Sequence, residues 1–500
     1  MSTLKLSDLG RVHFIGLGGA GMSAVARVML GQGVRVSGSD SRDSPGLRAL
    51  EVLGADVFVG QQPENVTDAH TVVVSTAIRP DNPELARARD LGLRVIHRSE
   101  ALAAAMDGQD VVAVAGTHGK TTTTAMVTVL LREAGRDPSF AIGGDVAALG
   151  VNAALGTGSV FVAEADESDG SFLNYSPQIT VITNVEADHL DHYGTEEAVF
   201  ASFDRFVRLL PADGLLVACA DDPGAAAVAG RSGAARVCTY GYAESADIRI
   251  TDTRAVGSGS VSVLRFSLDG LDCEQELRLL VPGAHNIRNA AAAFAVGLGL
   301  GVDPALAAAG LSVFSGAARR FESKGAVRGV RVFDDYAHHP TEVVAALQAA
   351  RTVAGEHRVH VLFQPHLFSR TLAFAGEFAS ALELADTATV LDIYAAREDP
   401  VDGVTSELIS SRVNRPGGYA PDAAQAVRDI CRRAAPGDII LTVGAGDVTQ
   451  YGAAFIGELS RDAAAAPGTP VIPGADSADG AVPAHAHDAG RPAPRDGHRG

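Results

Sequence analysis

The chain is short of cysteine, of positive charge and of long apolar runs, and each shortage closes off a class of protein. Its 500 residues hold four cysteines. Cys219, Cys238, Cys273 and Cys431 are scattered without C-x-x-C spacing, so neither a disulfide framework nor a thiolate zinc site is expected. Lysine and arginine number 41 against 60 acidic residues, a formal net charge of -19. That balance argues against non-specific binding to nucleic acid or to an anionic membrane. No apolar run approaches the roughly 18 residues that span a bilayer. Residues 1–8 carry no basic-then-apolar leader pattern. A soluble, cytoplasmic protein without membrane insertion is expected, as a monomer or homodimer.

What is present points to a large α/β protein. Hydrophobic residues make up 46% of the chain, and at about 100 to 200 residues per domain its length suggests three domains. Strand-like runs at residues 12–15, 71–75, 111–115, 160–163, 180–183, 357–363, 388–393 and 439–443 alternate with alanine- and leucine-rich helical stretches. This is the pattern of parallel sheets covered by helices. Residues 243–280 instead alternate polar and apolar with short turns, suggesting a small antiparallel addition. Boundaries are expected at Asp107-Gly108 and Ser315-Gly316, dividing the chain into 1–107, 108–315 and 316–462. Residues 463–500 read as a disordered tail of Ala, Pro, Gly, Asp and His. His485, His487 and His498 lie in that tail, as minor candidates for a metal.

The decisive stretch is 112–124, V-A-V-A-G-T-H-G-K-T-T-T-T. A β-branched run stops at Gly116, and Gly119-Lys120-Thr121 opens a helix. Such a strand, loop and helix start aims backbone N–H groups and the helix dipole at one point, where a phosphate fits. Lys120 can reach a terminal phosphoryl group, and the Thr121 hydroxyl can ligate the magnesium of a nucleotide. The position five residues before the G-K pair is Val114, so the match is to the shorter G-T-x-G-K-T-T form. ATP or GTP is the expected ligand.

A second glycine loop follows residues 12–15. Gly16, Gly18 and Gly21 fit G-x-G-x-x-G, and Asp40 stands near the end of the next strand. Alone this is a dinucleotide fingerprint, with the acid placed for a ribose hydroxyl. A nicotinamide dehydrogenase is therefore a rival reading, although the pyrophosphate of any nucleotide would satisfy the loop.

Polar clusters stand at the ends of later strands. Glu164-Ala165-Asp166-Glu167-Ser168-Asp169 and Thr183-Asn184-Val185-Glu186-Ala187-Asp188-His189-Leu190-Asp191 each follow an apolar run, where open parallel sheets bind ligands. Their carboxylates and imidazole suit magnesium beside phosphate. Further on come P-G-A-H-N-I-R-N-A from Pro282, R-R-F-E from Arg319, D-D-Y-A-H-H-P from Asp334 and Q-P-H-L-F-S-R-T from Gln364. His338 and His339 are adjacent, and neighbouring side chains on extended backbone point opposite ways. Substrate or nucleotide contacts are expected there rather than a shared metal. Arg370 could fork onto a carboxylate.

Taken in order, these motifs resemble the Mur ligases over roughly residues 12–457. Within that family they are most similar to members that join L-alanine to UDP-N-acetylmuramate. The resemblance implies a Rossmann-like N-terminal domain for the UDP part, a central P-loop ATPase domain and a Rossmann-like C-terminal domain for the amino acid. It implies an ATP-dependent ligase passing through an acyl phosphate, in peptidoglycan precursor synthesis. Gly116, Thr117, His118, Gly119, Lys120, Thr121 and Thr122 would cradle the ATP phosphates. Thr121, Glu164 and His189 would hold Mg2+. His285, Asn286 and Asn289 would contact adenine, while Arg320 and Asp335 would complete the ATP site when the domains close. Gly18, Gly19, Ala20, Gly21, Met22 and Ser23 would hold the UDP pyrophosphate, and His338 and Arg370 would face the amino acid. A sister ligase that adds a preformed tripeptide would share most of these motifs, and a non-catalytic nucleotide sensor would keep the binding loops.

Overall fold

The computed structural model describes residues 4–465, apart from 145, 147, 258 and 397. Three sheets follow one another along the chain, and each with its helices is called a unit below. The first has five parallel strands in the order Asp56–Val59, Val36–Asp40, Val12–Ile15, Thr71–Val74 and Arg94–His97. The central Val12–Ile15 is buried throughout, as expected of a strand covered on both faces. Strand order reverses beside it, so its carboxyl end opens at a topological switch point. The first glycine loop lies there.

The second sheet has ten strands. Asp110–Ala115 pairs in parallel with Ile179–Ile182 on one side and Val160–Glu164 on the other. The carboxyl ends of all three therefore meet at one edge, where the phosphate loop and both acidic motifs begin. The expected antiparallel addition is present as Ile248–Val256, Gly259–Leu268 and Leu271–Leu279. It is not a separate sheet, because Tyr240 and Gly241 of Arg236–Gly241 pair in parallel with Ile248 and Arg249. That pairing continues the edge of the main sheet into the antiparallel strands.

The third sheet runs Glu322–Val327, Val330–Asp335, Ile439–Val443, Val359–Phe363, Thr387–Val390 and Gly417–Tyr419. Only the first pairing is antiparallel. Along Ile439–Val443, Ile439, Leu441 and Val443 enter one core cluster and Ile440 another. This is the two-residue alternation of a sheet packed on both faces. The first two units share a core, since Met22 and Met29 cluster with Val112 and Phe161.

Three expectations are corrected at their edges. The last helix is Gln450–Ala465, so helix continues past residue 462, and the rest of the expected tail, with His485, His487 and His498, lies outside the described residues. The strand expected over 357–363 starts at Val359. The one expected to reach residue 393 stops at Val390, and the Leu391 carbonyl accepts from the Ser406 hydroxyl at 2.5 Å instead of from a ladder partner. Among the described residues no helix is long and apolar enough to cross a membrane.

Candidate active site

The phosphate loop is built by its neighbours as much as by its own glycines. Gly119 caps the helix Lys120–Glu133 at φ +84°, and no side chain occupies that cap. The helix N-terminus is therefore open to an anion. A β-carbon at Gly119 would lie 2.8 Å from Asn289 Oδ1. Residues after Ile179–Ile182 brace the loop: Asn184 Oδ1 accepts from the His118 N–H at 2.7 Å, and the Thr183 hydroxyl donates to the His118 carbonyl at 2.6 Å.

Lys120 is held from three sides. Its Nζ donates to Glu167 Oε1 at 2.8 Å, to the Gly116 carbonyl at 2.7 Å and to the Thr117 carbonyl at 3.1 Å. Burial opposes its charge, but Glu167 and Asp166 outweigh burial and raise its pKa. Glu167 is pushed up to about 7 by burial and by Asp166, against the pull of Lys120. The Thr121 hydroxyl donates to Glu164 Oε1 at 3.1 Å, and Glu164 Oε2 accepts from the Gly143 N–H at 2.7 Å. His189 Nε2 lies 3.7 Å from both Glu167 Oε1 and Asp188 Oδ2, and burial lowers its pKa, favouring a neutral imidazole. A hydroxyl, carboxylates and a neutral imidazole beside a phosphate loop fit a hard divalent ion such as magnesium.

Two cavities flank this loop. The smaller, about 180 Å³, is lined by His285, Asn286, Asn289 and Asp335 together with Gly119 and Thr122. Burial and the cations Arg288 and Arg320 lower His285 to about 4. Asp335 accepts from the Phe321 and Ala337 N–H groups, each at 2.8 Å. Burial lifts it to about 6 against Arg320. The larger cavity, about 690 Å³, runs from Gly18, Gly21 and Ser23 past Lys120 and Glu164 to His338. His118, Gly119, Arg320 and Glu342 line both cavities, so the phosphate loop is the wall between them.

Not every residue of 18–23 faces the cleft. Met22 is 4% exposed and packs in the core, because on the helix Ala20–Gly31 its side chain falls on the buried face. Gly19 is that helix's N-cap. Asp40 Oδ2 accepts from the Gly18 N–H at 2.9 Å, so this acid holds the loop's own backbone. Sequence reasoning missed Arg98, which starts the helix after Arg94–His97 and bonds Asp166 at 2.5 Å. A β-carbon at Gly21 would collide with its guanidinium. Its place just past a strand's carboxyl end was the available signal.

The third unit is docked on the second. Glu342 Oε1 is 3.2 Å from His118 Nδ1, and Arg320 approaches the same carboxylate at 3.5 Å. Thr341 donates to Glu186 at 2.8 Å, and Arg370 to Asp188 at 3.1 Å. Arg370 and Asp188 are both buried, so the arginine assigned to an amino-acid carboxylate is spent here on a protein carboxylate. Arg370 and the His189 backbone N–H, which donates to Asp188 Oδ1 at 2.7 Å, hold Asp188 below the usual range despite burial. Glu342 is likewise held well below it, against burial, by the charged His118 and Arg320. Burial presses against charge on His118, yet Glu342 and Glu186 outweigh it and hold the imidazole up at about 9. His338 is driven down to about 3 by burial, leaving its ring neutral. Glu342 was also missed, although a glutamate three residues into a helix opening with Pro340 is a capping signal.

Comparison with known proteins fits this geometry. Residues 11–110 match the Mur ligase family catalytic domain, 114–297 the Mur ligase middle domain and 319–446 the Mur ligase glutamate ligase domain. A UDP-N-acetylmuramate–L-alanine ligase of Paenarthrobacter aurescens is 63% identical over 91% of this chain and 98% of that protein. One of Renibacterium salmoninarum is 61% identical over 92% and 98%. The crystal structure of a UDP-N-acetylmuramate–alanine ligase from Thermotoga maritima superposes with a TM-score of 0.74 at 29% identity, covering 90% of this chain and 99% of that one. A murein peptide ligase from Psychrobacter arcticus gives 0.68 at 26% identity, over 90% and 98%. With all three of its sheets matched in order by the family's three domain models, the chain belongs to the Mur ligase family.

Proposed function

We propose that this protein joins L-alanine to the lactyl carboxylate of UDP-N-acetylmuramate, converting ATP to ADP and phosphate, as a step in building peptidoglycan precursors. The observation that carries the reading is the single larger cavity, in which the first glycine loop, the phosphate-loop lysine and residues of the third unit converge. Three bodies, residues 1–107, 108–315 and 316–462, each bring one reactant. Relatives over 60% identical along nearly their whole length bear the name of this activity.

The chemistry follows from charge. A carboxylate resists an amine until one oxygen becomes a good leaving group. The lactyl carboxylate oxygen attacks the γ-phosphorus, ADP departs, and an acyl phosphate forms. The amine nitrogen of L-alanine then attacks the acyl carbon, and the tetrahedral intermediate expels phosphate while the nitrogen gives up a proton. Lys120 and Arg320, which line the same cavity, supply positive charge to the transferring phosphoryl group. Thr121, Glu164 and His189 are the residues that would hold magnesium, which when bound offsets phosphate charge. His338, whose ring is neutral, lies at the other end of the larger cavity, where it can hydrogen-bond the incoming amine. Asn286 and Asn289, on the first turns of Ala284–Gly299, border the adenine side. On this reading the protein works in the cytoplasm.

The test is phosphate release from ATP and magnesium with UDP-N-acetylmuramate, comparing L-alanine, no amino acid and a preformed tripeptide. Release requiring both the sugar nucleotide and L-alanine is expected. Release only with the tripeptide selects the sister ligase, and none at all rejects the reading.

A further inference from the structure

Beside the phosphate loop, on the side away from Thr121 and Glu164, three side chains converge that the ligase chemistry above does not use together. His118, Glu186 and His339 bring one donor atom each within 4.8 Å of one another, the single such group of histidine, cysteine and carboxylate donors among the described residues. His118 Nε2 is 3.7 Å and His339 Nδ1 3.9 Å from Glu186 Oε2. The rings of the two histidines are 4.8 Å apart between centroids. His339 is 5% exposed, and neither of its ring nitrogens makes a hydrogen bond; His118 Nε2 makes none either. Buried polar atoms are rarely left so. Phe374 meets the His339 ring edge-on, 5.0 Å away between centroids.

The surroundings are those of a ligand set rather than of three strays. His118 Nδ1 is 3.2 Å from Glu342 Oε1. This carboxylate accepts the Nδ1 proton, so that loss of the other proton leaves Nε2 free beside Glu186 and His339, which is the carboxylate–histidine–metal arrangement. Thr341 in turn fixes Glu186 at 2.8 Å. Donors of a tetrahedral zinc ion sit about 3.4 Å apart, given metal–ligand lengths near 2.0 to 2.1 Å. Two of the separations here exceed that by only a few tenths of an ångström.

We propose that His118 Nε2, His339 Nδ1 and the Glu186 carboxylate form a site for a borderline-soft divalent transition ion of the zinc class, distinct from the magnesium residues and bridging the second and third units. Two imidazoles and one carboxylate leave a fourth position for water, and imidazole-rich sets favour zinc over magnesium. Binding displaces the Nε2 proton of His118 to solvent. His118 and Glu186 belong to the second unit and His339 opens the helix Pro340–Ala354 of the third. The ion therefore clasps the two together at the edge of the nucleotide cavity, and zinc is expected to slow turnover by holding them docked.

The test titrates Co2+, a visible-absorbing stand-in for Zn2+, into the full-length nucleotide-free protein with Mg2+ in excess. One Co2+ per chain with tetrahedral-type absorption is expected, displaced by Zn2+. His339→Asn and Glu186→Gln should each remove it, Glu342→Gln should weaken it about 10- to 100-fold, and His189→Asn should leave it intact. Circular dichroism melts without metal check that each variant folds, and two independent ligand variants guard against the loss of either. Absence of the absorption, its survival in both His339→Asn and Glu186→Gln, or its loss in His189→Asn would overturn the site.

Discussion

The two glycine loops begin alike, each as a buried strand running into a helix at a switch point, and end with different chemistry. After Val12–Ile15 the loop is stayed by an acid, Asp40 on the Gly18 N–H, and flanked by a cation, Arg98, already paired with Asp166. After Asp110–Ala115 the loop carries its own cation, Lys120, inside a shell of Glu167, Asp166 and Glu164. On the proposed function, the first would hold a diphosphate without altering it and the second would stabilise a phosphoryl group in transfer. Glycine spacing reports the shared backbone, and only the charges around it separate binding from catalysis.

Lys120→Ala breaks the comparison most severely. Turnover should fall by about 100- to 1000-fold or more, as when a group facing developing charge is removed, while the KM for the sugar nucleotide stays put. Phosphate release at saturating substrates reads this. The variant also leaves Glu167 without its counter-ion. Glu167 has a folded pKa of about 7 against 4.5 for the free side chain, so the folded protein binds the extra proton in that window and stability falls as pH rises through it. Without Lys120 the window extends upward, so the variant should melt close to wild type at pH 6 and clearly below it at pH 8. Equal gaps at both would remove Glu167 from the account.

Gly21→Ala strikes the other loop. Its β-carbon meets the Arg98 guanidinium and pushes it from Asp166. The expected result is a rise in sugar-nucleotide KM of about tenfold, or 1.4 kcal/mol, with kcat retained. A fall in kcat instead would mean that the first loop shares in the chemistry.

Glu342→Gln sharpens the contrast by pH. His118 is held at about 9 largely by Glu342 and Glu186, against about 6.5 unperturbed. Its charge is fully present below the unperturbed value and is lost as pH rises through about 9. With Glu342 neutralised, that loss moves down towards neutrality. The KM for ATP should then climb between pH 7 and 8.5 in the variant while staying level in the wild type.

How much of this was legible in the sequence depended on the range of the interaction. Strands such as Ile439–Val443 and the loop from Gly116 to Lys120 are written in consecutive residues, because β-branched runs and glycine spacing act locally. Thr121 with Glu164, and Asn286 with Asn289, were legible through motif resemblance, and the structure places each pair around one of the two cavities. What could not be read were partners distant along the chain, such as Arg98 on Asp166, Arg370 on Asp188 and Glu342 on His118. A lone arginine or glutamate at a helix start looks the same whether it meets water or a carboxylate from another unit. Met22 shows the converse, since a motif residue can be a core residue.

Asp40 offers the smallest and most discriminating test. In a dinucleotide site this acid would grip a ribose diol with both oxygens, and an asparagine, swapping one acceptor for a donor, should cost about tenfold or more in nucleotide affinity. In this structure Oδ2 holds the Gly18 N–H and Oδ1 the Arg42 N–H at 3.2 Å, so the carboxylate is occupied by backbone. Asparagine keeps one acceptor for these donors, and Asp40→Asn should raise the sugar-nucleotide KM by no more than about threefold. Asp40→Ala, which frees the loop, should cost about 1 kcal/mol, roughly fivefold. If the asparagine variant proves as weak as the alanine one, the negative charge itself matters, and the first loop resembles a dinucleotide site more closely than its backbone contacts indicate.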